Sequence, residues 1–117
     1  MDELSAGQRL RAGLDEALAV AARQSGEPLE FDEREAFCIE SAVLAADRAE
    51  RLRARLAQEF DGRASADALT KLSAEARMNE KQAVDLAARV QIGLGAAKSP
   101  RHQRAAQARW NRSPAVR

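Results

Sequence analysis

Apolar residues recur at steps of three and four along most of the chain, and this spacing restricts the fold more than any other feature. One such row, heptad-like and apolar except for Asn79, occupies positions 69, 72, 76, 79, 83, 86 and 90. A helix turns once in about 3.6 residues, whereas a strand alternates every second residue, and no segment alternates cleanly. The sequence therefore predicts an all-α fold with coiled-coil-like packing.

Capping signals divide this helical pattern into three long segments. Ser5 and Gln8 have capping-box spacing, Asp32 and Glu35 have the same spacing, and Ser65 is a further candidate N-cap. The short connection before Ser65 predicts that the second and third helices form an antiparallel hairpin, preceded by an N-terminal helix. The expected helices lie within a helical body of residues 1–97 and span about 6–24, 33–61 and 66–92.

The second predicted helix distributes its apolar residues unevenly. From Phe37 to Ala46 they cover a wide arc, so we expect this half to be wrapped by neighbouring elements, with Cys38 as a buried filler. Towards Phe60 the stripe narrows and is interleaved with arginines and acids, which predicts an ion-paired, solvent-facing surface; a second nucleic-acid surface is the alternative. Only 3% of the residues are aromatic, and self-association would relieve that shortage of large apolar groups, so a homo-oligomer is expected.

The charge of the chain is strongly segregated, although its formal net charge is only +1. Residues 98–117 contain six basic side chains and no acid, whereas the residues before them contain thirteen basic and eighteen acidic ones. Ser99 as an N-cap and Pro100 at the first helical position predict a short basic helix at about 100–111. A basic appendage on an acidic body is typical of a protein that binds a polyanion, or of one that docks on its own acidic surface.

On a helical wheel four tail arginines, Arg101, Arg104, Arg109 and Arg112, share an arc of about 140°, and Trp110 points in the opposite direction. Arginine forks match phosphate geometry, so we expect contacts to double-stranded DNA, with Trp110 as an apolar docking anchor. Docking on an acidic partner or on the body, and a merely solvated helix, remain alternatives. The candidate nucleic-acid-binding residues are Lys98, Arg101, Arg104, Arg109 and Arg112.

The rest of the chain offers little chemistry. Glu75, Asn79 and Gln82 align at helical spacing without a His or Cys beside them, and His102 has no metal-ligand partner. No catalytic, cofactor or metal site is expected, and the protein is not expected to be an enzyme. Asn79 either fixes the register or oligomeric state of the helical seam or faces water.

The cysteine content and the apolar runs of the sequence also predict the cellular location. A single cysteine excludes an intrachain disulfide and fits a reducing compartment. The longest apolar run, at 17–22, is too short to span a bilayer, and the N-terminus lacks a signal-peptide pattern. We therefore expect a cytoplasmic protein without membrane association.

Two segments together resemble a known family. "KLSAEARMNEKQAVDLAARV" at 71–90, followed by "SPRHQRAAQARWNR" at 99–112, is similar to small terminase subunits of actinobacterial phages and prophages. The resemblance covers roughly 30–112. It implies that 33–92 form an oligomerisation hairpin, and that Arg101, Arg104, Arg109 and Arg112 contact packaged DNA or the large terminase ATPase subunit.

One departure from that family concerns the N-terminus. Many members carry an N-terminal helix-turn-helix, whereas only one helix fits before residue 28 here, so the resemblance does not extend to recognition of a packaging site. The sequence predicts a non-enzymatic, DNA-associated assembly protein for phage genome packaging, located in the bacterial host cytoplasm if phage-derived. The alternative is a helical adaptor, or a head or connector component, whose basic tail docks on a protein partner; a small regulator is a third option.

Overall fold

The computed structural model describes residues 3–92, which form three α-helices and no strand. Helix α1 spans Ala6–Ser25, α2 spans Glu33–Phe60 and α3 spans Ala66–Ala87. The all-α prediction is confirmed, and the bounds expected for the first two helices are correct to within a residue. The predicted helix at 100–111 lies outside the described residues.

Each helix begins at the N-cap that the sequence indicated. In α1 the Ser5 hydroxyl accepts from the Gln8 amide at 3.1 Å, and the Gln8 side chain accepts from the Ser5 amide at 2.8 Å. Asp32 and Glu35 form the same reciprocal pair at the start of α2, and Ser65 caps α3. These bonds satisfy amide donors that lack an intrahelical acceptor, so short-range sequence determines where the helices start.

The helix ends are determined by two different causes. Gly26 ends α1 with a φ of 74°, in the left-handed region that glycine adopts without strain. Helix α3 was expected to continue to residue 92, but it ends at Ala87, and that expectation was wrong. The chain tightens into a turn that buries Val90 and carries the amide of Gln91 to within 3.3 Å of a Glu35 carboxylate oxygen. A tertiary contact, not a break in helical spacing, ends this helix.

Helices α2 and α3 pack as the predicted antiparallel hairpin, with mostly small side chains between them. Alanines permit close approach of the two backbones, and Ile39 is the one large side chain in the described part of the chain that is fully buried. The heptad-like row of α3 faces this contact, and its leucines lie half-buried at the edges. The buried residues of the seam are Ile39, Ala42, Ala45 and Ala49 from α2 and Ala76, Asn79 and Ala83 from α3.

Helix α1 packs on α2 alone and makes no close approach to α3. Gly7 and Ala21 are its buried residues, and its leucines are half-buried. Helix α2 is therefore the central element, with α3 on one side and α1 on another. Among residues 3–92, no helix combines the length and apolarity that crossing a bilayer requires.

Candidate functional site

The predicted nucleic-acid-binding segment lies beyond the part of the chain that the structure describes. This applies to Trp110 and to all five basic candidates, which are Lys98, Arg101, Arg104, Arg109 and Arg112. Their roles stay predictions. The sites that the structure does place are on the helical body.

Asn79 is buried in the hairpin seam, so the interpretation that it faces water is wrong. Its relative exposure is 6%, and its neighbours along the seam are Ala76 and Ala83. The side-chain amide donates to the backbone carbonyl of Glu75 in its own helix at 2.8 Å. This local bond satisfies the buried amide group without a partner from α2. Its role in register or oligomeric state stays a prediction.

A junction between α1 and α2 was not found from the sequence. Two carboxylates of α2 accept from the first turn of α1: Asp47 from the Gly7 amide at 2.7 Å and Glu50 from the Ala6 amide at 3.0 Å. Arg9 adds an ion pair to Glu50 at 3.4 Å. Acidic groups at a helix N-terminus neutralise its unpaired amides and its positive dipole end. The junction holds α1 in place on the central helix.

The Gly7 amide bond is the main reason that the pKa of Asp47 lies below its ordinary value of 3.8; the Ser5 hydroxyl and the charges of Arg51 and Arg9 add to it. A sequence signal for this contact existed. Gly7 lies in the first turn of α1, between Ala6 and Gln8, and Asp47 follows the apolar arc of α2.

Glu35 links the start of α2 to the chain that follows α3. It is buried, and it accepts from the Asp32 amide at 3.1 Å and from the Gln91 amide at 3.3 Å. Beside it lies a cleft of about 420 Å³. The lining residues are Asp32, Arg34, Glu35, Cys38, Arg89 and Gln91.

This cleft combines both charge signs with one thiol. Cys38 was expected to be a buried filler, but it is partly exposed and lines the cleft beside Arg89 and Gln91. Within residues 3–92, no cluster of three or more His, Cys, Asp or Glu side chains is arranged to hold a metal ion.

The arginine-rich half of α2 is only partly ion-paired. Arg53 donates to Glu80 of α3 through Nε at 2.9 Å and through Nη2 at 2.8 Å, and this bidentate bond lowers the pKa of Glu80. Arg55 pairs with Glu59 one turn away at 3.0 Å. Arg48 has no carboxylate within 4 Å among the residues described. The ion-paired surface that the sequence predicted is confirmed in part, by the pairs of Arg53, Arg55 and Glu50.

The first half of α2 is not wrapped by neighbours as expected. Phe37 and Leu44 are 69% and 67% exposed, and they lie two helical turns apart on one face. Helices α1 and α3 pack on the other sides of α2, so nothing within residues 3–92 covers this face. Large apolar side chains left exposed on one helical face are typical of an interaction surface.

Comparison of the chain with protein-family models, curated proteins and solved structures gives no match.

Proposed function

We propose that the protein is a non-enzymatic, homo-oligomeric, DNA-associated assembly protein, with the layout of a phage small terminase subunit. In this proposal the helical body holds subunits together and residues 98–117 bind duplex DNA. The observation that carries it is the charge segregation: the last twenty residues contain six basic side chains and no acid. Such a cationic segment gains affinity for a phosphate backbone by releasing counterions.

Three acids of the body, Asp47, Glu50 and Glu80, are already bonded, which supports an external polyanion over docking of the tail on these three carboxylates. Asp47 and Glu50 already bind the first turn of α1, and Glu80 already binds Arg53. A tail that docked on these carboxylates would have to compete with bonds of 2.7 to 3.0 Å. A DNA backbone offers phosphates without that competition.

The test is a salt titration of binding to a fluorescent duplex of random sequence, using the full chain. Contacts from Arg101, Arg104, Arg109 and Arg112 should make affinity fall with salt at a log–log slope of about −3 to −4. Replacing these four by Gln should abolish most of the binding.

A matched control replaces four exposed arginines of the body by Gln, which changes the net charge equally. Suitable positions are Arg11, Arg23, Arg63 and Arg77. The control should bind DNA nearly as the unchanged protein does. Equal loss in both variants, or affinity that does not respond to salt, would contradict the proposal.

The exposed apolar side chains of the body favour a second candidate, a helical adaptor or connector component. Phe37 and Leu44 on α2, and Met78 and Val84 on α3, are each more than 60% exposed. An adaptor would show no duplex binding, and Trp110→Ala would abolish its binding to a purified head, connector or large terminase subunit. Duplex binding that depends on the tail arginines would reject this candidate.

A further inference from the structure

Among residues 3–92, no element covers one face of α2 along most of the helix, and we call this face the open stripe. At about 100° per residue, its seven members fall within an arc of about 80°. All are exposed, and α1 and α3 contact α2 through other faces. The members of the open stripe are Glu33, Phe37, Glu40, Leu44, Arg48, Arg51 and Arg55.

The spacing of the open stripe is symmetric about Leu44. Reading outward in either direction, the next members follow at steps of four, three and four residues. Eleven residues in three turns correspond to about 3.67 residues per turn, close to the natural helical repeat, so the stripe runs nearly straight. A second copy of α2 lying antiparallel would therefore place stripe residue against stripe residue over about 33 Å.

The residues brought together in this pairing are chemically complementary. Glu33 would face Arg55 of the second copy, and Glu40 would face Arg48. Phe37 would face Arg51, where a guanidinium over an aromatic ring is favourable. Leu44 would face its own copy at the centre. A parallel pairing would instead place acids against acids and arginines against arginines, so charge selects the antiparallel arrangement.

The charged members are available for such contacts. Within residues 3–92, Glu33, Glu40 and Arg48 form no ion pair within 4 Å. Arg55 bonds only Glu59, a half-buried residue one turn away, and Arg55 itself is exposed, so an ion pair with another carboxylate can replace this one at little cost. Phe37 and Leu44 lie uncovered between these charges.

We infer that two copies of this chain pair antiparallel through the open stripe of α2, around a two-fold axis at Leu44. The inference rests on the homo-oligomeric part of the proposed function and not on DNA binding. The two-fold contact is closed, because the same patch is used by both copies. Larger assemblies would need a further surface.

The first test replaces the central contact of the full-length protein. Leu44→Asp replaces the apolar contact at the two-fold axis by two carboxylates that face each other, and the dimer dissociation constant measured by sedimentation should rise at least about a hundredfold. Val84→Asp is the matched control, because Val84 is an apolar residue of α3 with 66% exposure, outside the stripe. It should leave the dimer intact. Circular dichroism should show unchanged helix content in both variants.

The second test reverses charges. Glu40→Arg and Arg48→Glu should each weaken the dimer about tenfold, and combining them should restore it, because the opposed pair is then re-formed with exchanged signs. Arg77→Glu on α3 changes the net charge as Arg48→Glu does and is the control for that variant. A double variant as weak as the single ones would overturn the inference.

The third test distinguishes the direction of pairing, in a Cys38→Ser background. Leu44→Cys should cross-link to its own copy under mild oxidation, whereas Phe37→Cys should not, since its copy would lie about 21 Å away. Cross-linking at both positions would indicate parallel pairing and overturn the inference. A wild-type protein that is monomeric at 100 µM would overturn it together with the assembly part of the proposed function. If the unchanged protein did not bind duplex DNA, the DNA part of the proposed function would fail, and the inference of an antiparallel dimer would be unaffected.

Discussion

Gly7 lets the first turn of α1 lie against α2 at a distance that no side chain would permit. A Cβ at this position would lie 2.6 Å from the Val43 carbonyl oxygen and 2.7 Å from both Val43 Cγ1 and Asp47 Oδ2. One of these atoms is backbone and a second belongs to the short, β-branched side chain of Val43, so neither can move aside as the end of a long side chain could. The glycine is therefore required by the helix crossing, not by its own backbone conformation.

Gly7→Ala should lower the free energy of unfolding by about 1 to 3 kcal/mol, because α1 must shift away from α2. Gly13→Ala is the matched control in the same helix, since a Cβ there meets no atom within 4 Å. It should raise stability by up to about 1 kcal/mol through helix propensity. Urea unfolding at neutral pH measures both. Equal effects of the two substitutions would contradict the close-approach explanation.

Asp47 should make the free energy of unfolding depend on pH through the same junction. Its pKa is lowered in the folded state, chiefly by the Gly7 amide bond. A lowered folded-state pKa means that the charged carboxylate stabilises the fold above its unfolded-state pKa, and that this contribution disappears as pH falls through the folded-state pKa.

Asp47→Asn should therefore destabilise the protein by about 1 kcal/mol at pH 7 and by progressively less as pH falls below about 4. Unfolding curves of the variant and the unchanged protein at several pH values measure whether their free energies of unfolding approach each other at low pH. Asp15→Asn, which removes an exposed pair with Arg11, is the control and should have little effect at any pH. If the difference in stability between Asp47→Asn and the unchanged protein were the same at pH 2 as at pH 7, the charged form of Asp47 would not be what stabilises the junction.

At the scale of elements, the three helices are held to different degrees. Helix α3 contributes a continuous buried seam against α2, whereas α1 buries only Gly7 and Ala21 and contacts one helix. Few buried contacts mean a low free energy of local opening.

Amide hydrogen exchange should therefore be faster in α1 than in α2 or α3. Gly7→Ala should accelerate exchange in α1 further while leaving the amides of the α2–α3 seam nearly unchanged, since the seam does not depend on α1. Mass spectrometry of the exchanged peptides measures this. Uniform protection of all three helices would show that they open as one unit.

At the scale of the whole molecule, residues 3–92 form three helices with a buried core between them. Within residues 3–92, buried side chains and long-range bonds such as Gly7–Asp47 and Gln91–Glu35 join the helices and the chain that follows α3. In the proposed function, the helical body holds the subunits together and the tail, residues 98–117, binds DNA.

Deleting residues 98–117 should therefore shift the thermal unfolding midpoint by less than about 3 °C while abolishing duplex binding. Calorimetry and a binding titration on the same preparation measure the two effects. A large loss of stability would show that the tail is part of the folded body.

The sequence alone determined the elements, because their signals are local. Capping boxes act over three residues and apolar spacing acts over one or two turns, so the helix starts at Ser5, Asp32 and Ser65 and the seam of α3 could be predicted. The charge segregation behind the proposed DNA site is likewise readable from composition.

Only the tertiary structure decided which faces meet. The early end of α3, the burial of Asn79, the Gly7 junction and the uncovered face at Phe37 and Leu44 all depend on contacts between residues distant in the chain. Helical spacing shows that a face is apolar, but not whether another part of the same chain covers it. That choice is made by packing, and it is the reason that the open stripe of α2 was not predicted.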